Sequence, residues 1–191
     1  MKRLLLTALL VVLLSSCSEK EVDDKITTES ISKVSPEIGT TINPMSDAMD
    51  RGQHDLSRNV VVDASYYKTH SVARGDIVYY EDNSVSRIVG LPNEKINISN
   101  GQIYIDGAKL DTFYGSAHIR GYDYEHFKGS DLEEKAKENL IAEIFKKNMK
   151  EITISSNEVF VVGDDWSRSN HSTFRNLAMK DLRGKVLGVS E

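Results

Sequence analysis

Ser46-Asp47-Ala48-Met49-Asp50-Arg51-Gly52 is the stretch around which this chain is organised. Three further blocks follow it in order: Arg74-Gly75-Asp76-Ile77-Val78, Arg87-Ile88-Val89-Gly90-Leu91-Pro92, and Gly163-Asp164-Asp165. Between them the chain reads as strand. Asn59 to Asp63 is a short apolar run, and Ile77-Val78-Tyr79-Tyr80 is β-branched and aromatic. Val85 to Leu91 makes another strand, stopped by Pro92. Lys95-Ile96-Asn97-Ile98 alternates polar and apolar residues, and Gln102-Ile103-Tyr104-Ile105 follows Asn100-Gly101. Asn-Gly supplies the positive φ angles of a type I′ turn, so these two runs form a hairpin. Asp106-Gly107 marks the next turn.

The β pattern breaks once. Ser130 and Glu133 have the spacing of a capping box. Leu132, Ala136, Leu140, Ile141, Ile144 and Phe145 then recur at helical spacing. An amphipathic helix covering the sheet is expected near 131–148. Strand returns at Glu151 to Ile154, at Glu158 to Val162 and in the closing run 181–189. The sum is a mostly-β domain with one inserted helix.

Composition bounds the function. The chain has 191 residues, 39% of them hydrophobic, and a net charge of −5. That is enough for one domain plus a tether. It argues against nucleic acid as a partner, and no basic run offsets it. The single cysteine, Cys17, excludes an internal disulfide and a thiolate metal cluster. No His, Asp or Glu spacing matches a metal site and no Gly-rich phosphate loop is present, so neither a metal nor another cofactor is expected.

Cys17 closes a basic start, Met1-Lys2-Arg3, and an apolar run from Leu4 to Leu14. That run is shorter than the roughly 20 residues a membrane-spanning helix needs. It has the pattern of a secretory leader. Leu14-Ser15-Ser16-Cys17 resembles the lipobox of bacterial lipoproteins, which implies cleavage before Cys17 and a lipid anchor on it. Residues 1–16 are then a lipoprotein signal peptide. Residues 17–43, polar and without apolar period, read as a flexible tether. The domain occupies 44–191.

The four blocks, in this order, resemble those of the type I signal peptidases, a family of serine/lysine endopeptidases (S26-type). The similarity covers roughly residues 44–189. Arg87 to Glu94 is close to the family's Lys-Arg-Val-Ile-Gly-Leu-Pro-Gly-Asp. Val162 to Asp165, with the region down to Arg175, is similar to its Gly-Asp-Asn…Asp-Ser-Arg. The resemblance implies a signal-peptidase-like, LexA-like fold of coiled β-sheets. It also implies a Ser nucleophile, a Lys general base with a pKa lowered by burial, and an oxyanion hole.

Here the chain departs from the pattern. The nucleophile position is Ala48, which has no oxygen, and the base position is Ser86. Aligning Arg168 to Arg175 with the last block takes an insertion at Trp166-Ser167. The base-orienting Ser then becomes His171 and the supporting Asp becomes Thr173. Ser46 matches the hydroxyl that assists the oxyanion hole. Losing the nucleophile alone costs many orders of magnitude in rate, because such residues act as a unit.

The expected function is therefore that of a pseudoenzyme: a bacterial lipoprotein anchored by Cys17 on the extracytoplasmic face of the cell membrane. Its cleft, with candidate residues Ser46, Met49, Asp50, Arg87, Asp164 and Arg175, binds extended peptide or secreted-precursor segments through main-chain hydrogen bonds. The alternative is an active peptidase with relocated residues. For that, the candidate hydroxyls are Ser46, Ser65, Ser71, Ser86 and Ser172. The candidate bases are His54, His70, His118, His126, His171 and Lys68. A third reading is a surface lipoprotein whose fold persists only as a packing unit. Trp166 is expected either to line the cleft or to pack.

Overall fold

The computed structural model describes residues 20–44, 47–52, 59–169 and 174–191, apart from the side chain of Asp82. The leader, Cys17, Ser46, His54, His171, Ser172 and Thr173 lie outside the described residues. The strands are β1 (Glu21–Asp23), β2 (Lys33–Val34), β3 (Thr40–Ile42), β4 (Val60–Asp63), β5 (Ile77–Tyr80), β6 (Ser84–Gly90), β7 (Lys95–Ser99), β8 (Gln102–Ile105), β9 (Ala108–Asp111), β10 (Met149–Thr153), β11 (Glu158–Val162), β12 (Phe174–Ala178) and β13 (Gly184–Ser190). Among the described residues, three short α-helices join them: α1 (Tyr66–Thr69), α2 (Tyr124–Lys128) and α3 (Glu134–Leu140). The domain is mostly β, as its sequence predicts.

The strands form two sheets. One is five-stranded in the order β1-β9-β8-β7-β10. The other is eight-stranded, β12-β11-β6-β5-β13-β4-β3, with β2 added to β13. Apolar side chains of β7, β8 and β11 meet Ile144, Phe145 and Trp166 in the largest core. The larger sheet buries both of its faces around its centre. Ile77 and Val85 enter a second core with Met49, while Val78, Tyr80 and Ile88 enter a third. This explains why β6 is buried along its whole length and does not alternate. Asn100 and Gly101 have φ of 48° and 76°, the left-handed pair that the β7–β8 turn requires.

Two expectations are corrected. The inserted helix is shorter than 131–148 and starts later. Glu133 is its N-cap, accepting hydrogen bonds from the amides of Lys135 and Ala136 at 3.1 and 3.0 Å, so Glu133 caps alone. Ser130 does not complete a capping box: its Oγ is buried and has no hydrogen-bond partner among the described residues. After α3 the helix widens into a π turn over Ile141–Phe145, closed by Lys146 N donating to Ile141 O. Only this end reaches the core; Leu132 stays exposed.

The tether is the second correction. Its described part is laid onto the domain. β1 pairs in parallel with β9, β2 in parallel with β13, and β3 antiparallel with β4. Asp24 accepts a 2.6 Å hydrogen bond from the Tyr114 hydroxyl. The segment passes so close to Gly75 that a Cβ there would sit 2.0 Å from Thr27 Oγ1. Backbone pairing supplies most of these contacts. It leaves no hydrophobic period in the sequence, and the few anchors are Val22, Ile31 and Ile42.

Candidate functional site

Ala48 sits on a tight turn in which Asp50 N donates to Asp47 O at 2.9 Å. The turn is buried: Ala48 is 0% exposed. Its carbonyl accepts a 2.8 Å hydrogen bond from Asp165 N, in the loop that follows β11. Gly163 allows this approach. A Cβ at 163 would stand 2.6 Å from Ala48 O and 3.0 Å from Ala48 Cβ. Arg168 bridges the two segments, ion-paired with Asp47 and 3.5 Å from Asp165.

The loop is fixed to β6 by the Arg87–Asp164 pair. Arg87 Nε and Nη2 donate to the two Asp164 oxygens at 2.8 and 2.7 Å, a bidentate fork with both side chains 2% exposed. Arg87 Nη1 donates to Gly75 O at 2.9 Å, which ties in the Arg74–Val78 block. Its guanidinium lies 5.0 and 5.1 Å from the Phe113 and Tyr114 ring centroids. Burial opposes the charge on Arg87. The Asp164 carboxylate more than offsets this and raises the Arg87 pKa.

Ser86 is fully buried on the opposite face of β6. It shares a 2.7 Å hydrogen bond with the Tyr80 hydroxyl. Arg175, on β12, lies 5.9 Å from the Tyr80 ring centroid and is ion-paired with Glu81. Burial raises the Tyr80 pKa, against the Ser86 bond and the Arg175 charge. The β6–β11 register sets Val162 opposite Arg87. The Ala48 turn docks against Gly163, the residue that follows Val162.

The other candidates divide clearly. Met49 is buried in the second core and does not line an open cleft. Asp50 is buried and accepts Gly52 N at 2.8 Å. Trp166 packs edge-on against Phe174 in the largest core, which is its packing role. His118 is close to the loop through Trp166 N, which donates to His118 O. Its ring meets Ser116 O at 2.9 Å, and burial lowers its pKa. His70 stacks on Tyr66, His126 meets Asp123 at 2.8 Å, and Ser65 bonds Asp63 at 2.7 Å. Ser71 borders a groove of about 500 Å³ with Leu91, Pro92, Met179 and Leu182. Lys68 is exposed on α1. Among the described residues, no serine hydroxyl is hydrogen-bonded to a histidine ring or a lysine amine.

Two members of the site had no role assigned from the sequence: Tyr80, and Asp165, which was read only as part of a motif block. Tyr80 looked like an ordinary strand residue, although its two-residue offset on a hairpin places it on the face of Ser86. Asp165 is a buried carboxylate. Burial raises its pKa, against two hydrogen bonds from Ser167 and with help from the nearby Asp50 charge. No group of three or more metal-ligating side chains occurs among the described residues.

The family model of signal peptidases, peptidase S26, matches residues 40–189. Signal peptidase IB of Staphylococcus aureus is 27% identical over 145 residues, covering 73% of this chain and 71% of the relative. Signal peptidase I S of Bacillus subtilis is 30% identical over 120 residues, covering 63% of this chain and 54% of the relative. A crystal structure of a signal peptidase I from Enterococcus faecalis covers 61% of this chain and 97% of its own, with a TM-score of 0.42 and 19% identity.

Proposed function

Because the chain belongs to the signal peptidase family, peptidase S26, with the match spanning residues 40–189, we propose that it is a non-hydrolysing member that binds extended peptide segments. In this reading Cys17 carries a lipid that holds the domain at the extracytoplasmic face of the cell membrane. The ligands are segments of secreted precursors. No helix among the described residues is long and apolar enough to cross a membrane. Two acyl chains suffice for stable attachment.

One observation carries the reading: Ala48, which the motif order sets at the position of the attacking hydroxyl, is a buried methyl packed against Gly163. The base position supports it, since the Ser86 hydroxyl is used by Tyr80. A serine hydroxyl does not act as a base near neutral pH. Strand addition needs only main-chain donors and acceptors, so binding of this kind works without a nucleophile.

The experiment compares unmodified protein with an active signal peptidase on a purified secretory precursor. No product is expected, while the precursor's processing-site peptide binds in a fluorescence titration. Turnover comparable to the active enzyme overturns the proposal. Labelling of a single serine by a serine-directed inhibitor would do the same, because it would reveal relocated chemistry. Labelling with radioactive palmitate, abolished by Cys17→Ala, tests the anchor.

A further inference from the structure

We propose that Arg51 and Arg120 form a carboxylate-binding cleft beside the Ala48 turn, held in the free protein by Glu29, and that it selects extended peptides presenting a carboxylate at that point. The inference deepens the peptide-binding reading and rests on it.

The cleft, of about 420 Å³, is lined by Arg51, Gly52, Arg120, Gly121 and Tyr122. Among the described residues, its lining side chains are two guanidiniums and a phenol. It begins where the Ala48 turn ends. Gly52 and Gly121 bring the two backbones together: a Cβ on Gly121 would stand 2.4 Å from Arg51 O, and one on Gly52 2.8 Å from Arg120 O. Both have positive φ, as does Arg120 at 51°. That conformation is uncommon for a residue with a Cβ.

Arg51 already holds a carboxylate, that of Glu29, which sits in a bend of the N-terminal segment. Its Nε and Nη2 both donate to a single oxygen of Glu29, at 3.0 and 2.7 Å. Glu29 arrives on the N-terminal segment and its side chain is 62% exposed, whereas Arg51 is 13% exposed. The guanidinium lies 4.9 Å from the Phe113 ring centroid, which fixes its plane. The Glu29 contact uses both donors of the Nε–Nη2 fork but only one carboxylate oxygen. A planar carboxylate matches a guanidinium fork with both oxygens. An exposed ion pair is weak, so a ligand carboxylate displaces Glu29 at little cost. Arg120, 49% exposed on its side chain, supplies the second charge, with Nε 3.7 Å from the buried Asp50.

The test uses the whole mature domain and two kinds of probe. N-acetylglutamate is titrated while the arginine Nε–Hε signals are followed by NMR. In parallel, calorimetry compares one extended peptide in four forms: free C-terminus or C-terminal amide, internal Glu or internal Gln. Saturable shifts are expected on Arg51 and Arg120. Whichever carboxylate form binds tighter than its neutral counterpart identifies the source, side chain or chain end. Arg120→Asn keeps a residue that tolerates the left-handed backbone, and Arg51→Lys keeps the charge without the fork. Each weakens the carboxylate probes about tenfold and leaves the neutral peptide unchanged. Glu29→Gln removes the competitor and tightens binding, which a purely structural ion pair would not do. If N-acetylglutamate shifts neither arginine, or if neutral and charged peptides bind alike, the inference is overturned while peptide binding stands. If N-acetylglutamate binds as described and no peptide binds, the cleft stands and the wider peptide-binding reading falls.

Discussion

Replacing Asp164 by Asn tests how the site is held together. The change removes the charge opposite a guanidinium that is 2% exposed and turns one acceptor oxygen into a donor. Arg87 keeps its bond to Gly75 O and its two aromatic neighbours, but its charge is then buried without a counter-ion. Breaking one side of such a pair costs about 3–5 kcal/mol. Domains of this size hold about 5–15 kcal/mol in total, so the variant should lose a fifth or more of its stability and about 10 °C in Tm. Urea denaturation followed by the fluorescence of Trp166, the single tryptophan, reads this directly. Replacing both partners, Arg87→Met with Asp164→Leu, should cost much less than the single change, because no orphan charge remains. A single-variant loss below about 1 kcal/mol, or a double variant weaker than the single, would refute the assignment of this pair as the rivet between β6 and the Ala48 loop.

Other outcomes follow from the same geometry. Ala48→Ser places a hydroxyl in a fully buried position, so denaturation midpoints should show a loss of about 1–3 kcal/mol, and a gel assay should show no precursor cleavage. Gly163→Ala forces a Cβ to within 2.6 Å of Ala48 O and should cost about 1–3 kcal/mol in the same assay, with peptide affinity falling in parallel. Burial raises the Asp165 carboxyl above its ordinary 3.8, so the native state binds that proton more readily than the unfolded chain. Its stabilising contribution is full below pH 3.8 and is lost as pH rises through the native value; Asp165→Asn should therefore gain on wild type across that window, and parallel urea-midpoint curves would contradict this. Starting the protein at Ser35 removes β1 and β2 and uncovers the edges of β9 and β13. It should cost about 2 kcal/mol or more in a thermal melt, where a flexible spacer would cost nothing.

The strands of the domain could be read because their side chains carry the signal. β5, β7 and β8 alternate or cluster apolar residues, and Asn100-Gly101 names its own turn. β6 was legible as a strand stopped by Pro92 although it does not alternate, because both of its faces are covered. β9 and β12 were not legible. Ala108–Asp111 and Phe174–Ala178 mix charge and small residues, and hydrogen bonding to β8 and β11 makes them strands. The same holds for the N-terminal segment, whose pairing depends on the backbone. Motif order located Ala48, Arg87 and Asp164 but not their roles. That Arg87 and Asp164 face each other across 77 positions is a fact of the fold, and only the folded register brings Tyr80 to Ser86.

The replaced positions and the kept positions differ in what each leaves behind. Where chemistry would need a hydroxyl and an amine, the chain has a close-packed methyl and a hydroxyl already bonded to Tyr80. Neither is an open wound in the fold: Ala48 has no polar atom to satisfy, and Ser86 has its partner. A lysine at position 86 would have to direct its amine into the space that the Tyr80 hydroxyl fills. Restoring the two family residues alone thus collides with a third, and Tyr80 has to change with them. The contacts that place the loop, by contrast, are costly ones: a buried bidentate ion pair, a glycine without room for a Cβ, and a backbone bond to Ala48. On the proposed reading the site lacks its reacting groups yet is held by such contacts, and binding an extended chain is the use that needs no more than geometry.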